Sequence, residues 1–87
     1  MFVILVYDVG EKRVNKVLKK CREYLTWVQN SVLEGELSEG NLKKLKFEIG
    51  KIIKTEEDSV IIYSFQSTKY STREVMGLTK NSQDIFV

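Results

Sequence analysis

The amino-acid sequence predicts an α+β fold in which two helices cover one face of an antiparallel sheet. Two short apolar runs, Phe2–Tyr7 and Val60–Phe65, have the composition of strands. Two segments between them repeat apolar residues at intervals of three and four, so each predicts a helix with one apolar stripe. The chain has 87 residues, no proline and no repeat, and we therefore expect a single domain spanning residues 1–87.

The first strand lies in the stretch Met1–Gly10 and ends in a carboxylate. A continuous apolar run of this length predicts a strand that is buried on both faces, in the middle of the sheet. A carboxylate is costly to bury without a partner. Asp8 is therefore either a turn residue or a functional group placed where the strand meets solvent.

A basic amphipathic helix is predicted after Gly10. Its apolar stripe consists of Val14, Val17, Leu18, Cys21, Tyr24 and Leu25. The opposite face carries six cations, which are Lys12, Arg13, Lys16, Lys19, Lys20 and Arg22. A solvated face is the ordinary explanation for such residues. The two acidic residues of the segment, Glu11 and Glu23, do not balance the cations, and this excess favours contact with phosphates.

The segment Thr26–Leu37 predicts a bent or bulged strand, or two strands with a turn near residues 34–36. The polar residues Gln29, Asn30 and Ser31 then lie in mid-strand. They form either an exposed sheet edge or a set of hydrogen-bond donors that face phosphates or a partner chain.

The second helix is predicted to begin after Ser38, which is a good N-cap residue. Val60–Phe65 follows as a second central strand, and residues 66–84 have no clear pattern. This order of elements predicts a ferredoxin-like βαββαβ plait whose last strand is weak or supplied by a partner. The apolar end Ile85, Phe86 and Val87 predicts a short strand that pairs with an exposed edge, either in the same chain or in a second copy.

Composition excludes several classes of protein and site. One cysteine excludes an internal disulfide framework, and the absence of histidine excludes a metal site of the Cys/His type. Any metal must therefore have oxygen ligands. No apolar run is long enough to span a bilayer and no signal peptide is evident, so we expect a cytoplasmic protein without a membrane partner.

Several short motifs occur in a characteristic order. They are Tyr7-Asp8, the basic helix, Gln29-x-Ser31-Val32, Glu34-Gly35 and Asp58-x-Val60-x-Ile62-Tyr63. In this order they resemble the CRISPR-associated endonuclease family Cas-two, from Met1 to about Phe65. Many members of that family have a basic residue where Asn30 stands and an aromatic residue where Leu33 stands, so this chain departs from the pattern in a segment linked to activity.

The resemblance implies a ferredoxin-like homodimer in which the C-terminal tail, residues 83–87, completes the sheet of the partner. It also implies a role in spacer acquisition, in which the dimer is a DNA-holding bridge for the CRISPR integrase Cas-one. Many members have been assigned metal-dependent cleavage of single-stranded RNA or double-stranded DNA. The strand-end aspartate of the family corresponds to Asp8, and its helix arginine to Arg13.

These considerations predict a set of site residues. Asp8 is the catalytic residue and a ligand of Mg²⁺ or another divalent cation, and a two-fold axis would bring it close to its copy. We expect Lys12, Arg13 and Lys16 to bind the nucleic acid. Tyr7, Gln29 and Ser31 are supporting candidates, although Tyr7 faces away from Asp8 and is first a core residue. Two other hypotheses remain: a non-catalytic scaffold of the integrase complex, and a toxin-type ribonuclease on the same fold.

Overall fold

The computed structural model describes residues 1–66 and 70–78 and contains one five-stranded antiparallel sheet. The elements follow the order β1 (Phe2–Asp8), α1 (Glu11–Arg22), β2 (Thr26–Gln29), β3 (Val32–Glu36), α2 (Glu39–Ile52), β4 (Ser59–Phe65) and β5 (Ser71–Gly77). The strands are arranged as β2-β3-β1-β4-β5, so both predicted central strands are internal. This arrangement confirms the predicted α+β, ferredoxin-like fold.

Side chains of β1 alternate between two different environments. Val3, Leu5 and Tyr7 are buried together with Val17 of α1 and Leu45 of α2, whereas the residues between them are only half-buried. The prediction that β1 is buried on both faces is therefore wrong, because both helices pack on the same side of the sheet. We call the other side the open face; its apolar residues are Phe2, Ile4, Val6, Val32, Ile61, Tyr63, Phe65 and Val75.

Both predicted helices are present, and their ends have identifiable causes. The carbonyl of Gly10 accepts hydrogen bonds from the backbone N–H groups of Arg13 and Val14, which starts α1. Ser38 caps α2 as predicted, because its hydroxyl accepts a hydrogen bond from the N–H of Asn41 at 3.1 Å. In the part of the chain that the structure describes, neither helix is long and apolar enough to cross a membrane.

The segment Thr26–Leu37 forms a hairpin and not one bent strand. The turn lies at residues 30–31, so the alternative turn near residues 34–36 is also wrong. Asn30 has a φ of 42°, a left-handed conformation that asparagine tolerates better than most residues. A bulge between Trp27 and Gln29 shifts the register of the hairpin. The polar trio therefore surrounds a turn and does not lie in mid-strand.

A fifth strand, β5, follows a segment in which the sequence predicted no clear element. Its pairing with β4 begins with Ser59 opposite Gly77 and ends with Phe65 opposite Ser71. The sheet of one chain therefore does not depend on a partner for a strand beside β4. Its first four residues are exposed, because β5 is an edge strand with little apolar cover. The predicted tail strand at Ile85, Phe86 and Val87 lies outside the described residues.

Candidate functional site

Asp8 lies at the end of the central strand, where the sheet meets solvent. It is the last residue of β1, pairs with Ser59 of β4 and has an exposed side chain. Strand alternation puts this side chain on the open face, on the opposite side from the helices. The side chain is therefore exposed at a position that a rigid element fixes.

The hairpin turn lies at the same end of the sheet as Asp8. The backbone N–H of Tyr7 donates a hydrogen bond to the carbonyl of Ser31 at 3.1 Å, and the Tyr7 hydroxyl lies 3.4 Å from the carbonyl oxygen of Asn30. The structure thus brings the turn that carries Gln29 and Ser31 to the strand end that carries Asp8. Gln29 is exposed and Ser31 is half-buried.

Tyr7 is a core residue, as its position opposite Asp8 in the strand pattern predicts. Its side chain is 5% exposed on the helix-covered face, and burial raises the pKa of its phenol. Cys21 lies in the same core, where burial raises its pKa to about 12. Both groups therefore lie in the core on the helix-covered side of the sheet, away from the Asp8 side chain.

Two of the predicted nucleic-acid-binding residues are exposed on α1. Lys12 and Lys16 are four residues apart and therefore project from the same side of the helix. Lys12 also lines a cavity of about 460 Å³ at the start of α1, together with Gly10, Glu11, Arg13, Lys54 and Glu57. Positive charge is therefore available a few residues beyond Asp8, at the same end of the molecule.

The third predicted cation, Arg13, has a partner within the protein. Its Nε donates to Oδ2 of Asp58 at 2.6 Å and its Nη2 donates to Oδ1 at 3.0 Å, which is the paired geometry expected for arginine and a carboxylate. A longer contact of 3.4 Å joins Nη2 to Glu57. The structure therefore gives Arg13 a structural role, and its contact with phosphate stays a prediction.

Asp58 begins one of the short motifs quoted above, although the motif itself indicates no role for its side chain. Its side chain is fully buried and also accepts hydrogen bonds from the backbone N–H groups of Gly10 and Lys54, each at 2.8 Å. The Arg13 guanidinium and these two donors hold the pKa of Asp58 well below its usual range. The sequence signal for this role was the position of Asp58 directly before a central strand. A carboxylate that is buried at the end of such a strand needs hydrogen-bond donors from the protein.

The described part of one chain holds no complete metal site. Across residues 1–66 and 70–78, no group of three Cys, Asp or Glu side chains is placed to hold an ion together. A metal at Asp8 therefore requires oxygen ligands from a second copy, from substrate or from water.

Comparison with known proteins identifies relatives across nearly the whole chain. The family described as CRISPR associated protein Cas2 matches residues 1–73. A protein of Dictyoglomus turgidum is 55% identical over 84 residues, which cover 97% of each chain, and one of Thermotoga maritima is 54% identical over 87 residues, covering 100% of this chain and 99% of the relative. Both are named CRISPR-associated endoribonuclease Cas2.

Solved structures agree with the sequence comparison. A crystal structure described as Cas2 superposes with a TM-score of 0.74 and 43% identity, covering 94% of this chain and 90% of the other. Streptococcus pyogenes Cas2 gives a TM-score of 0.70 with 31% identity, covering 78% of this chain and 89% of the other.

Proposed function

The chain belongs to the CRISPR-associated Cas2 family, and from that premise we propose that it is a metal-dependent endoribonuclease in which Asp8 is the catalytic residue. The observation that carries the proposal is the exposed carboxylate of Asp8 at the end of a rigid central strand. Relatives that are about half identical are named endoribonucleases, and this supports RNA as the substrate.

Substrate phosphates would be bound by the exposed side of α1. Lys12 and Lys16 are close in sequence to Asp8 and exposed on one side of the helix, so they can neutralise successive phosphates of an RNA strand. Arg13 contributes indirectly, because its ion pair with Asp58 fixes the start of the helix that carries these lysines. The supporting candidates Gln29 and Ser31 lie at the hairpin turn and could donate hydrogen bonds to the same strand.

The active form in this proposal is a homodimer formed through the open face. Ile4, Val6, Ile61 and Tyr63 are neighbours on adjacent strands of this face and are only half-buried in a single chain. A contiguous apolar patch of this kind is typical of a protein–protein interface. A two-fold axis that crosses this face near the end of β1 would bring the two copies of Asp8 together.

Mg²⁺, or another divalent cation, is the cofactor we propose. Its preferred ligands are oxygens, and two Asp8 carboxylates with a substrate phosphate would provide such a set, whereas the described residues of one chain do not. When bound, the ion would stabilise negative charge on the phosphate oxygens. The two carboxylates would hold the ion, while Lys12 and Lys16 would bind and orient the RNA backbone.

A non-catalytic function in the same family is the second candidate. The chain has Asn30 and Leu33 where many members of the family have a basic and an aromatic residue, in a segment linked to activity. This departure favours a dimeric bridge that holds DNA for the CRISPR integrase Cas-one during spacer acquisition. The same exposed lysines would contact duplex phosphates in that function. Cleavage of double-stranded DNA, in contrast, would belong to the first, catalytic candidate.

Cleavage assays with a matched variant separate the candidates. Purified protein is incubated with single-stranded RNA and with duplex DNA, with Mg²⁺ or with EDTA, and compared with Asp8→Asn and Glu56→Gln. Glu56 is an exposed acid in the turn before β4 and controls for the loss of one negative charge. We expect Mg²⁺-dependent RNA cleavage that is lost only in Asp8→Asn. Equal cleavage by Asp8→Asn would overturn the catalytic proposal, and an inactive wild type that supports integration would favour the bridge.

A further inference from the structure

The tryptophan of this chain is exposed on an edge strand. Trp27 is the single tryptophan of the sequence, lies in β2 and is 45% exposed, and its neighbour Val28 is 50% exposed. The side chain of Trp27 shares a register position with buried Leu33, so it projects on the helix-covered side of the sheet, at its margin. An indole in this position contributes little to the core.

Two contacts fix the orientation of this indole. Its Nε1–H donates a hydrogen bond to the carbonyl of Asn30 at 2.8 Å, within the same hairpin. The guanidinium carbon of Arg22, at the end of α1, lies 5.7 Å from the ring centroid, which is within the range of a cation–π contact. The ring is therefore held in one orientation next to a cation, while much of its surface remains open to solvent.

Further polar and cationic groups lie along the adjoining helix. Asn15, Lys19 and Arg22 line a shallow cavity of about 490 Å³ on α1, together with Leu18 and Glu23. Lys20 is paired with Glu23 at 3.1 Å, whereas Lys16 and Lys19 are exposed. A fixed aromatic surface next to a cation, with further cations along the same helix, is a combination by which proteins bind single-stranded nucleic acid, because bases stack on the ring and phosphates contact the cations.

We propose that Trp27 stacks a base of single-stranded RNA and that Arg22 and Lys19 contact the adjacent phosphates. The inference rests on the proposed ribonuclease function and assigns a substrate contact outside the Asp8 site. The carbonyl of Asn30 that accepts the indole N–H also lies 3.4 Å from the hydroxyl of Tyr7, the residue before Asp8. One hairpin turn therefore separates the aromatic surface from the end of β1, and an RNA strand passing around this turn reaches both.

The position of Trp27 is compatible with the proposed dimer. Dimerisation through the open face covers the side of the sheet that is opposite the helices, whereas Trp27 projects beside α1. The ring would stay accessible in the assembled protein. The hairpin would then guide RNA from the helix-covered side towards the two Asp8 carboxylates.

Intrinsic fluorescence tests this proposal without cleavage, because Trp27 is the only indole. The full chain is titrated with a single-stranded oligouridine in EDTA, and affinity is measured in parallel by the anisotropy of labelled RNA. We expect saturable quenching of Trp27 emission, an affinity loss of about tenfold or more in Trp27→Ala and a smaller loss in Trp27→Phe. Phe47→Ala is the matched control, since Phe47 is also exposed beside a cation, Lys51 at 4.5 Å, but lies on α2.

The outcomes separate this proposal from the function on which it rests. Quenching in wild type and in Asp8→Asn, with no cleavage in any metal, would support the RNA contact and contradict only the nuclease. Unchanged emission, or equal affinities for wild type and Trp27→Ala, would overturn the stacking contact even if RNA is cleaved. Emission that responds to protein concentration but not to RNA would also overturn it, and would assign Trp27 to a protein contact.

Discussion

Arg13 and Asp58 form a paired ion contact between residues that are 45 positions apart in the sequence, with Nε–Oδ2 and Nη2–Oδ1 distances of 2.6 and 3.0 Å. The same carboxylate binds the N–H groups of Gly10 and Lys54, and the Asp58 carbonyl accepts the N–H of Leu78 at 2.7 Å. Asp58 thus connects the loop after β1, the start of α1, the turn after α2 and the end of β5. The segment that follows Asp8 is fixed by this buried residue.

Replacement of Asp58 should therefore destabilise the fold. Asp58→Asn removes the charge that balances Arg13 and leaves at least one buried donor without an acceptor, so we expect a loss of about 2–3 kcal/mol in the free energy of unfolding. Chemical denaturation followed by circular dichroism measures this change. Glu57→Gln is the control: Glu57 is exposed and 3.4 Å from Arg13, so its loss should cost less than about 1 kcal/mol. Similar losses in both variants would contradict a special role for Asp58.

The Asp58 carboxylate should also give the fold a specific dependence on pH. Its pKa is lowered in the folded protein, first by the Arg13 hydrogen bonds, from an ordinary value of 3.8. The unfolded chain therefore binds a proton at a pH where the folded protein does not. The stabilisation of the fold by the ionised Asp58 carboxylate is fully present above about pH 3.8, and it is lost as the pH falls below that value. Denaturation curves between neutral and acidic pH should show a steep fall in wild type and a shallower fall in Asp58→Asn; parallel curves would contradict this assignment.

Gly77 should tolerate no side chain, whereas Gly50 should. Gly77 has a φ of 88°, and a Cβ there would meet the backbone carbonyl of Asp58. We expect Gly77→Ala to lower the free energy of unfolding by about 1–3 kcal/mol because of the backbone conformation alone. The contact of the new Cβ with the Asp58 carbonyl should lower it further. A Cβ at Gly50, in α2, would make only an ordinary contact of 3.9 Å with Met76, so Gly50→Ala should stabilise by about 0.5–1 kcal/mol. Thermal unfolding of the two variants measures whether stability falls in one and rises in the other. A Gly77→Ala variant as stable as wild type would contradict the close packing at Asp58.

The open face should mediate dimerisation. Tyr63→Glu places a charge in the middle of the half-buried apolar patch, beside Ile4, and should convert the dimer to monomer at micromolar concentration in sedimentation velocity. Phe47→Glu introduces the same charge at an exposed aromatic residue of α2, on the helix-covered side, and should leave the dimer intact. A dimer that survives Tyr63→Glu and dissociates in Phe47→Glu would place the interface on the helices.

Most of the fold could be predicted from local patterns, because β1, β4 and the two helices each bury a continuous or periodic apolar set. The position of the hairpin turn could not be predicted in this way. It depends on the left-handed conformation of Asn30, and the pattern of apolar residues does not indicate that conformation. The strand β5 was missed for a related reason. An edge strand with exposed Ser71, Thr72 and Arg73 is defined by its pairing with β4, and not by its own composition.

The candidate site was predictable only where the sequence carries a local anomaly. Asp8 interrupts an apolar run, and Lys12 and Lys16 contribute to an excess of charge, so each could be identified before the structure. The Arg13–Asp58 pair could not, because both residues lie in segments rich in charge and only the tertiary fold selects one partner from several. Trp27 had no signal of its own, since a tryptophan in a strand is ordinarily a core residue.

Subunit mixing tests the central claim, that two copies of Asp8 form one metal site. Wild-type and Asp8→Asn chains are mixed in varied ratios, unfolded and refolded together, and the rate of RNA cleavage in Mg²⁺ is plotted against the wild-type fraction. If both carboxylates are required, an equal mixture retains about a quarter of the wild-type rate and the curve is quadratic. A straight line, with about half the rate at an equal mixture, would show that each Asp8 acts alone and would contradict the shared site.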